Sequence, residues 1–211
     1  MNIVDVAIID YGVGNLHSVL NACKQFTQNV VITEDPLVIQ SARSIILPGV
    51  GSFGAGVEGL AVRGLTQTVI DFAKSGKPVL GICLGAQLLL SKGFEFGEWD
   101  GLGLIPGKVV RFPEGKTPRL PHIGWNALYG FSMQDGSLLA SIEEGADVYF
   151  VHSYTLVPDD KANIVATARY GDVEFAAVIR KGAIWGCQFH PEKSSNVGIH
   201  IIKNFINLST A

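Results

Sequence analysis

The chain has few cysteines, and it lacks an apolar run long enough to cross a membrane. Its three cysteines form no CxxC pair, which argues against a disulfide framework and against a zinc site. No apolar stretch approaches the ~20 residues that span a bilayer, and the N-terminal segment lacks the basic region of a signal peptide. These absences predict a protein of the reducing cytoplasm that has no membrane association.

An excess of basic residues is missing as well. The net charge of -3 comes from 16 Lys and Arg residues against 19 Asp and Glu residues, and no basic run occurs. We therefore expect no nucleic-acid partner. With 47% apolar and 17% charged residues in 211 positions, the composition is typical of one globular domain, which we expect to cover 1–211.

Short apolar runs alternate with amphipathic stretches in the first part of the chain. This alternation predicts an α/β fold in which helices cover a parallel sheet. The predicted strands are Val4–Ile9, Ser44–Leu47 and Pro78–Ile82. One helix that ends near Gly76 is predicted from residues at helical spacing, namely Leu60, Leu65, Val69 and Phe72.

The second half of the chain is predicted to be rich in β-strands. Strand-like segments with frequent turn residues follow Gly101, namely Lys108–Phe112, Asp147–Tyr154 and Ile164–Tyr170. Two further strands, Glu174–Arg180 and Ala183–Phe189, flank Lys181-Gly182 as a β-hairpin. The apolar face of 195–208 predicts a final helix.

The most informative segment is Gly81-Ile82-Cys83-Leu84-Gly85, which joins a predicted strand to a predicted helix. The two glycines permit the tight turn of a nucleophile elbow and leave Cys83 at its tip. The partial positive charge of a helix N-terminus favours a thiolate at that place. Because free cysteine usually behaves as a small buried hydrophobe, a purely structural Cys83 is the alternative.

His190 and Glu192 lie two residues apart, directly after the last predicted strand. In an extended segment the side chains at i and i+2 point to the same side, so both groups are expected to face one site. A cysteine nucleophile, a histidine base and an orienting carboxylate together form a catalytic triad. The alternative is a surface turn at His190-Pro191-Glu192.

Gly49-Val50-Gly51-Ser52-Phe53-Gly54 matches the glycine pattern of dinucleotide-binding loops. The match is weak, because it does not follow the first strand, Pro48 precedes it, and no acidic residue ends a following strand at the expected distance. A structural turn is the simpler interpretation. In the functional interpretation, N–H groups of the Pro48–Gly51 backbone and of Leu84 stabilise an oxyanion beside the cysteine.

Taken together, these motifs make the chain resemble the class I glutamine amidotransferases over essentially its whole length. Gly81–Gln87 and His190–Glu192 carry the resemblance to the family at large. The resemblance is narrowed to the glutaminase subunits of imidazole glycerol phosphate synthase by Asp10–Leu16, Pro121–Asn126 and Tyr149–Tyr154. It implies a flavodoxin-like three-layer sandwich with a mostly parallel central sheet and an additional antiparallel, β-rich portion.

The resemblance also implies the chemistry. Cys83 would attack the side-chain amide of L-glutamine, His190 would move the proton, and Glu192 would orient the imidazole. A γ-glutamyl thioester, ammonia and finally glutamate would result, with no cofactor and no metal. The implied oxyanion residues are Gly49, Val50, Gly51 and Leu84, and the implied substrate-binding residues are Gln87, Ser153 and Tyr154. Gln87 is also interpretable as a solvated helix residue.

The partner that the resemblance implies is a (β/α)8-barrel cyclase subunit in a heterodimer. It would receive ammonia through a tunnel and form imidazole glycerol phosphate and an aminoimidazole carboxamide ribotide in histidine biosynthesis. The positions that match this interface are Asn15, Trp125, Tyr149 and Lys193. Trp125 and Tyr149 are also interpretable as core aromatics.

Val50 stands where many class I amidotransferases have a glycine, and a β-branched residue resists positive φ angles. We therefore expect an oxyanion hole that is incomplete until partner and acceptor bind. The competing functions are a subunit of another synthase, a stand-alone cysteine hydrolase, and a redox-sensing module that uses Cys83 as an oxidisable thiol.

Overall fold

The computed structural model describes residues 4–131 and 137–209, and the remaining positions of the expected 1–211 domain lie outside it. The strands in these ranges are β1 (Val6–Ile9), β2 (Val30–Thr33), β3 (Ser44–Gly49), β4 (Val79–Cys83), β5 (Leu90–Gly93), β6 (Trp99–Asp100), β7 (Ile105–Arg111), β8 (His122–Ala127), β9 (Asp147–His152), β10 (Tyr154–Pro158), β11 (Ile164–Tyr170), β12 (Val173–Lys181) and β13 (Ile184–Cys187). The helices are α1 (Leu16–Cys23), α2 (Pro36–Ser41), α3 (Phe53–Val62), α4 (Leu65–Lys74), α5 (Leu84–Leu88) and α6 (Ser195–Leu208).

The main sheet has a parallel part and an antiparallel part. The parallel part has the strand order β2-β1-β3-β4-β13. The sheet continues through β12, β10 and β7, which are joined by antiparallel pairing, and β11 pairs with β12. Strands β8 and β9 form a separate antiparallel hairpin. The α/β fold and the β-rich second half are thus confirmed.

Strands β1, β3 and β4 of the parallel part are buried on both faces, as their continuous apolar sequences predict, whereas β2 at the edge is only partly buried. Successive residues of β1 enter different cores: Val6 and Ile8 pack in the core that includes α1 and α6, whereas Ala7 and Ile9 pack in the core that includes α2 to α5. Two helical layers therefore enclose one sheet, which is the expected three-layer sandwich.

Two predicted elements are each divided in the structure. The helix expected from Leu60 to Phe72 is two helices, because Gly64 adopts the left-handed conformation (φ 67°) between α3 and α4. The segment Asp147–Tyr154 is not one strand but β9 followed by β10, with Ser153 between them. There the chain leaves the β8–β9 hairpin and joins the main sheet.

The topology brings the chemically interesting segments to one edge. Strands β3, β4 and β13 are parallel neighbours, with Gly49 opposite Cys83 and Ile82 opposite Cys187. Their carboxyl ends therefore meet, and His190 follows three residues after the end of β13. In open α/β sheets this is the edge where ligands bind.

Candidate active site

Cys83 lies on a strained turn between β4 and α5. Its backbone has φ 53° and ψ -108°, a conformation that residues other than glycine rarely adopt. The flanking glycines are sterically required: a Cβ on Gly81 would lie 2.7 Å from the backbone nitrogen of Ala86, and one on Gly85 would overlap the Leu47 carbonyl. The structure therefore has the nucleophile-elbow geometry that the sequence predicted.

His190 and Glu192 are in contact, but not through an extended segment. The His190 Nδ1 atom lies 2.8 Å from Glu192 Oε1, and both side chains are 2% exposed. Glu192 belongs to a 3-10 turn, Pro191–Lys193, for which His190 is the N-terminal cap. The expectation of an extended i, i+2 arrangement was wrong, since proline at the first position of the turn starts a helical bend instead.

The backbone around His190 is held on both sides. Its N–H donates to the Tyr149 carbonyl at 2.9 Å, and the Ser194 hydroxyl donates to the His190 carbonyl at 2.7 Å. The same hydroxyl oxygen accepts from the Tyr149 N–H at 2.9 Å. Strand β9 thereby fixes the turn that carries the histidine, and a surface turn at this place is excluded by the burial of His190.

The charges around His190 favour its protonated form. Burial lowers the pKa of the imidazole, but the neighbouring Cys83 sulfur and the Glu192 carboxylate together raise it to about 10. The Nε2 atom is buried and makes no hydrogen bond to any described residue. Because Cys83 and His190 line the same cavity, this nitrogen is available to exchange a proton at the sulfur.

The cavity beside the elbow has a volume of about 140 Å³. That is smaller than the ~300 Å³ at which pockets for drug-sized ligands begin, so it suits a molecule of few atoms. Its lining residues are Val50, Gly51, Cys83, Leu84, Gln87, Glu95, Val151, His152, Ser153, Tyr154 and His190. A larger depression of about 560 Å³ is lined by none of the predicted catalytic residues.

The predicted oxyanion and substrate residues lie around this cavity. Val50, Gly51 and Leu84 line it, as do Ser153 and Tyr154. Gly49 does not line it, but pairs with Cys83 across β3 and β4. The structure brings all these positions together at the tip of the elbow.

Gln87 is 5% exposed, so its interpretation as a solvated helix residue was wrong. Its side-chain amide donates to the Tyr154 carbonyl at 3.2 Å and to Gln188 Oε1 at 3.3 Å. These contacts hold the backbone at the start of β10 against α5. Gln87 therefore shapes one wall of the cavity through Tyr154.

The sequence reasoning missed several residues at the site, among them Glu95, Gln188 and His152. Glu95 lines the cavity from the loop after β5, where its Oε2 accepts from the Phe53 N–H at 2.7 Å. Gln188 is fully buried, with its Nε2 4.0 Å from Cys83 Sγ. Gln188 could have been found from its position two residues before His190. No feature of the sequence points to Glu95.

A second buried histidine, His152, lines the cavity. Its Nδ1 donates to the Tyr154 carbonyl at 2.8 Å, and its Nε2 lies 3.1 Å from Nδ1 of His122. The His122 Nε2 lies 2.7 Å from Asn126 Oδ1. Burial is the main reason that the pKa of His152 is lowered to about 3. The nearby His122 and His190 also lower this pKa, whereas the hydrogen bond to the Tyr154 carbonyl raises it.

The four predicted interface residues occupy different environments. Trp125 is 49% exposed and packs edge-on against Tyr149 across the β8–β9 hairpin, with ring centroids 5.8 Å apart. Its interpretation as a core aromatic was wrong, whereas Tyr149 is half-buried. Lys193 is exposed beside the triad. Asn15 has a structural task as well, because its side chain caps α1 by accepting from the Ser18 N–H at 3.4 Å.

Among residues 4–131 and 137–209, no group of three or more His, Cys, Asp or Glu residues could hold a metal ion. Within the same ranges, none of the helices has the length and apolar character needed to cross a membrane.

The chain matches the family described as "Glutamine amidotransferase class-I" over residues 7–208. It is 47% identical to the imidazole glycerol phosphate synthase subunit HisH of Geobacter sulfurreducens over 205 residues, covering 95% of this chain and 97% of that protein. It is 44% identical over 210 residues to the subunit HisH 1 of Legionella pneumophila (strain Lens), covering 96% and 99%.

Solved structures support the fold. A crystal structure described as a glutamine amidotransferase superposes with a TM-score of 0.74 at 19% identity, covering 98% of this chain and 99% of that chain. PurLQS from Thermotoga maritima superposes with a TM-score of 0.72 at 20% identity, covering 96% and 97%. The chain belongs to the class I glutamine amidotransferases and, within them, to the group of the HisH subunits of imidazole glycerol phosphate synthase.

Proposed function

We propose that this chain is the glutaminase subunit of an imidazole glycerol phosphate synthase of the cytoplasm, and that it folds as a single domain. It hydrolyses L-glutamine and delivers the ammonia to a (β/α)8-barrel cyclase subunit in a heterodimer. The observation that carries the proposal is the small cavity in which Cys83, on its strained elbow, lies with His190, whose ring is held by Glu192. The two HisH relatives, similar over nearly their whole length, guide the choice of synthase.

The first half-reaction forms a thioester. With the proton of the Cys83–His190 pair already on His190 Nε2, the sulfur attacks the amide carbon of glutamine. Glu192 stabilises the imidazolium through its 2.8 Å contact with Nδ1. His190 then returns the proton to the leaving nitrogen, so that the C–N bond breaks, ammonia departs and a γ-glutamyl thioester remains on Cys83.

The second half-reaction is hydrolysis of that thioester. His190 takes a proton from water, the hydroxide attacks the thioester carbon, and the C–S bond breaks. The proton stays on His190 as the sulfur leaves, which restores the resting pair, and the new carboxyl group of glutamate loses its own proton to solvent. No cofactor takes part in either half-reaction.

The rest of the cavity holds the amino-acid end of glutamine. Glu95 presents a carboxylate to the cavity, and one of its oxygens is fixed by the Phe53 N–H. The α-ammonium group of an amino acid is the cation that suits it. The backbone of Ser153 and Tyr154, held by Gln87, faces the same space. Together these groups select a free amino acid over a peptide-bound side chain.

The oxyanion is stabilised by the Leu84 N–H and by the backbone of Gly49, Val50 and Gly51, which we call the oxyanion strand. Gly51 has φ 120°, whereas Val50 does not have a positive φ and is 40% exposed. The branched side chain of Val50 hinders the turning of its peptide toward the site. The backbone N–H of that peptide is therefore supplied to the oxyanion only when partner and acceptor bind. One missing oxyanion donor costs about 2.7–4 kcal/mol, or roughly 10²–10³ in turnover.

Val50→Gly tests this arrangement. We expect glutamine hydrolysis without a partner to rise by at least about tenfold, because glycine removes the steric hindrance. The measurement is glutamate release by the chain alone. Unchanged basal turnover would remove the oxyanion strand from the explanation of partner dependence.

The partner surface is proposed to include Trp125, Tyr149, Lys193 and Asn15. Trp125 is the strongest candidate, since a half-exposed tryptophan packed on a second aromatic is typical of interface anchors. Lys193 directly follows Glu192, so contact there would reach the turn that carries the triad.

The proposal is tested by combining the chain with a cyclase subunit and measuring glutamate release with and without the ribulosyl acceptor. Turnover that rises strongly with acceptor, and disappears in Cys83→Ala, is the expected result. Cys23→Ala is the matched control, because it removes another buried cysteine that lies on α1. Fast hydrolysis without any partner would indicate a stand-alone hydrolase, and no hydrolysis at all would favour the redox-sensing alternative.

A further inference from the structure

Tyr11 carries a buried hydroxyl group that the proposed mechanism does not use. The residue lies two positions after β1 and is fully buried. Among the described residues, only three buried side-chain polar atoms lack a hydrogen-bond partner: the Tyr11 hydroxyl, His190 Nε2 and Glu192 Oε2. Two of these atoms belong to the triad. The third, the Tyr11 hydroxyl, is therefore a candidate for a role in the chemistry of the same site.

The hydroxyl lies at the junction of the oxyanion strand and the elbow. A Cβ built on Gly49 would overlap the Tyr11 hydroxyl oxygen and would lie 2.9 Å from Leu84 Cβ. The hydroxyl therefore packs directly on the backbone of the oxyanion strand. Burial, and secondarily Cys83, raises the pKa of Tyr11 far above its ordinary value, so the group stays protonated beside the nucleophile.

The loop that carries Tyr11 is anchored. Its carbonyl accepts from Arg63 Nη1 at 3.1 Å, and Arg63 also contacts Glu34 at 3.3 Å. Gly14, farther along the loop, is close to the same strand, since a Cβ there would lie 3.4 Å from Gly49 Cα. The hydroxyl is thus fixed in place against a strand whose peptide groups are proposed to change.

A buried hydroxyl without a partner destabilises the state in which it is found, and phenylalanine would fill the same space without that cost. The hydroxyl therefore has a use in another state of the molecule. A protonated phenol can donate to a carbonyl, and the backbone of Gly49 lies beside this hydroxyl.

In a trans peptide the C=O and the N–H point in opposite directions. A carbonyl of the oxyanion strand that turns inward therefore turns its own N–H outward, toward the cavity. We propose that Tyr11 is a positioning residue for this strand, whose hydroxyl donates to a main-chain carbonyl of the Pro48–Val50 segment in the reacting state and so aims an N–H at the oxyanion. This assignment rests on the proposed glutaminase function.

The test compares Tyr11→Phe with Tyr170→Phe in the complex with the cyclase subunit and acceptor. Tyr170 is the matched control, because its hydroxyl already donates to the Arg119 carbonyl at 2.9 Å. We expect Tyr11→Phe to lower kcat at least about tenfold with KM for glutamine within about twofold, while Tm stays the same or rises. Tyr170→Phe should keep kcat and lower Tm slightly.

Alkylation of Cys83 by iodoacetamide distinguishes a defect in the oxyanion strand from a defect in the nucleophile, because this reaction forms no oxyanion. Its rate should be unchanged in Tyr11→Phe. The proposal is overturned if kcat is retained, if alkylation slows as much as kcat, or if Tm falls by more than about 3 °C, which would reveal a partner in the resting state. If the unmodified complex releases no glutamate, the proposed function fails first, and the assignment of Tyr11 fails with it.

Discussion

Two buried histidines line the same cavity and differ in the group that holds each ring. His190 contacts the Glu192 carboxylate at 2.8 Å, at the carboxyl end of the parallel part of the sheet. His152, on the β8–β9 hairpin, contacts the Tyr154 carbonyl at 2.8 Å and the ring of His122 at 3.1 Å. Both are almost completely buried, so burial does not distinguish them.

Their pKa values are displaced in opposite directions. Burial lowers both, but the Cys83 sulfur and the Glu192 carboxylate raise the pKa of His190 to about 10. No carboxylate contacts His152 in the described structure, and its pKa falls to about 3. The comparison teaches that the contacting group, not the depth of burial, determines which histidine carries a proton. One ring is suited to proton transfer, and the other to neutral hydrogen bonding.

The largest expected effect is that of His190→Asn. Loss of the general base should lower kcat by about 10³-fold, because no other described group contacts the cysteine as a base. The matched variant His152→Asn should lower kcat less than about tenfold. Glutamate release in the complex with the cyclase subunit measures both, and similar losses in the two variants would contradict the division of roles.

Glu192→Gln should have the next largest effect. The amide keeps the shape of the side chain but removes the charge, and its NH₂ group can hold the imidazole in the wrong tautomer. We expect kcat to fall by about 10²-fold and the pKa of His190 to fall with it. In the unmodified protein the contribution of His190 to stability is complete below about pH 6.5 and is lost as the pH rises from there through about 10. A pH profile of kcat that is unchanged in Glu192→Gln would contradict this.

His152→Gln should have the smallest effect on turnover but a clear effect on acid stability. Between pH 6.5 and about 3 the unfolded chain protonates this histidine whereas the folded chain does not, so the free energy of unfolding falls as the pH falls. One such group contributes up to about 1.4 kcal/mol per pH unit. Urea unfolding from pH 7 to pH 4 should show a shallower loss in the variant, and an identical slope would refute the lowered pKa.

The elbow and the triad could be predicted from sequence because local rules determine them. The glycines around Cys83 indicate a tight turn. The short spacing from His190 to Glu192 places two functional groups together, even though the predicted backbone geometry was wrong. The division of the helix at Gly64 was missed because the apolar spacing continues across the break. A single left-handed residue interrupts a helix without disturbing its pattern.

Long-range contacts account for what the sequence could not reveal. Glu95 reaches the cavity only because its loop folds over the start of α3, where the Phe53 N–H binds it. His152 and His122 meet because β8 and β9 pair in register. Tyr11 lies beneath the oxyanion strand through the pairing of β1 with β3. Each of these contacts joins residues that are distant in sequence, and no spacing rule predicts them.

The central claim is that the contacting groups make His190 cationic and leave His152 neutral, and ring ¹⁵N NMR of the folded chain measures this most directly. At pH 7.5 the account predicts an imidazolium signal for His190, which Glu192→Gln weakens, and a neutral ring with a protonated Nδ1 for His152. A neutral His190, or a His152 that titrates near pH 6.5, would contradict it.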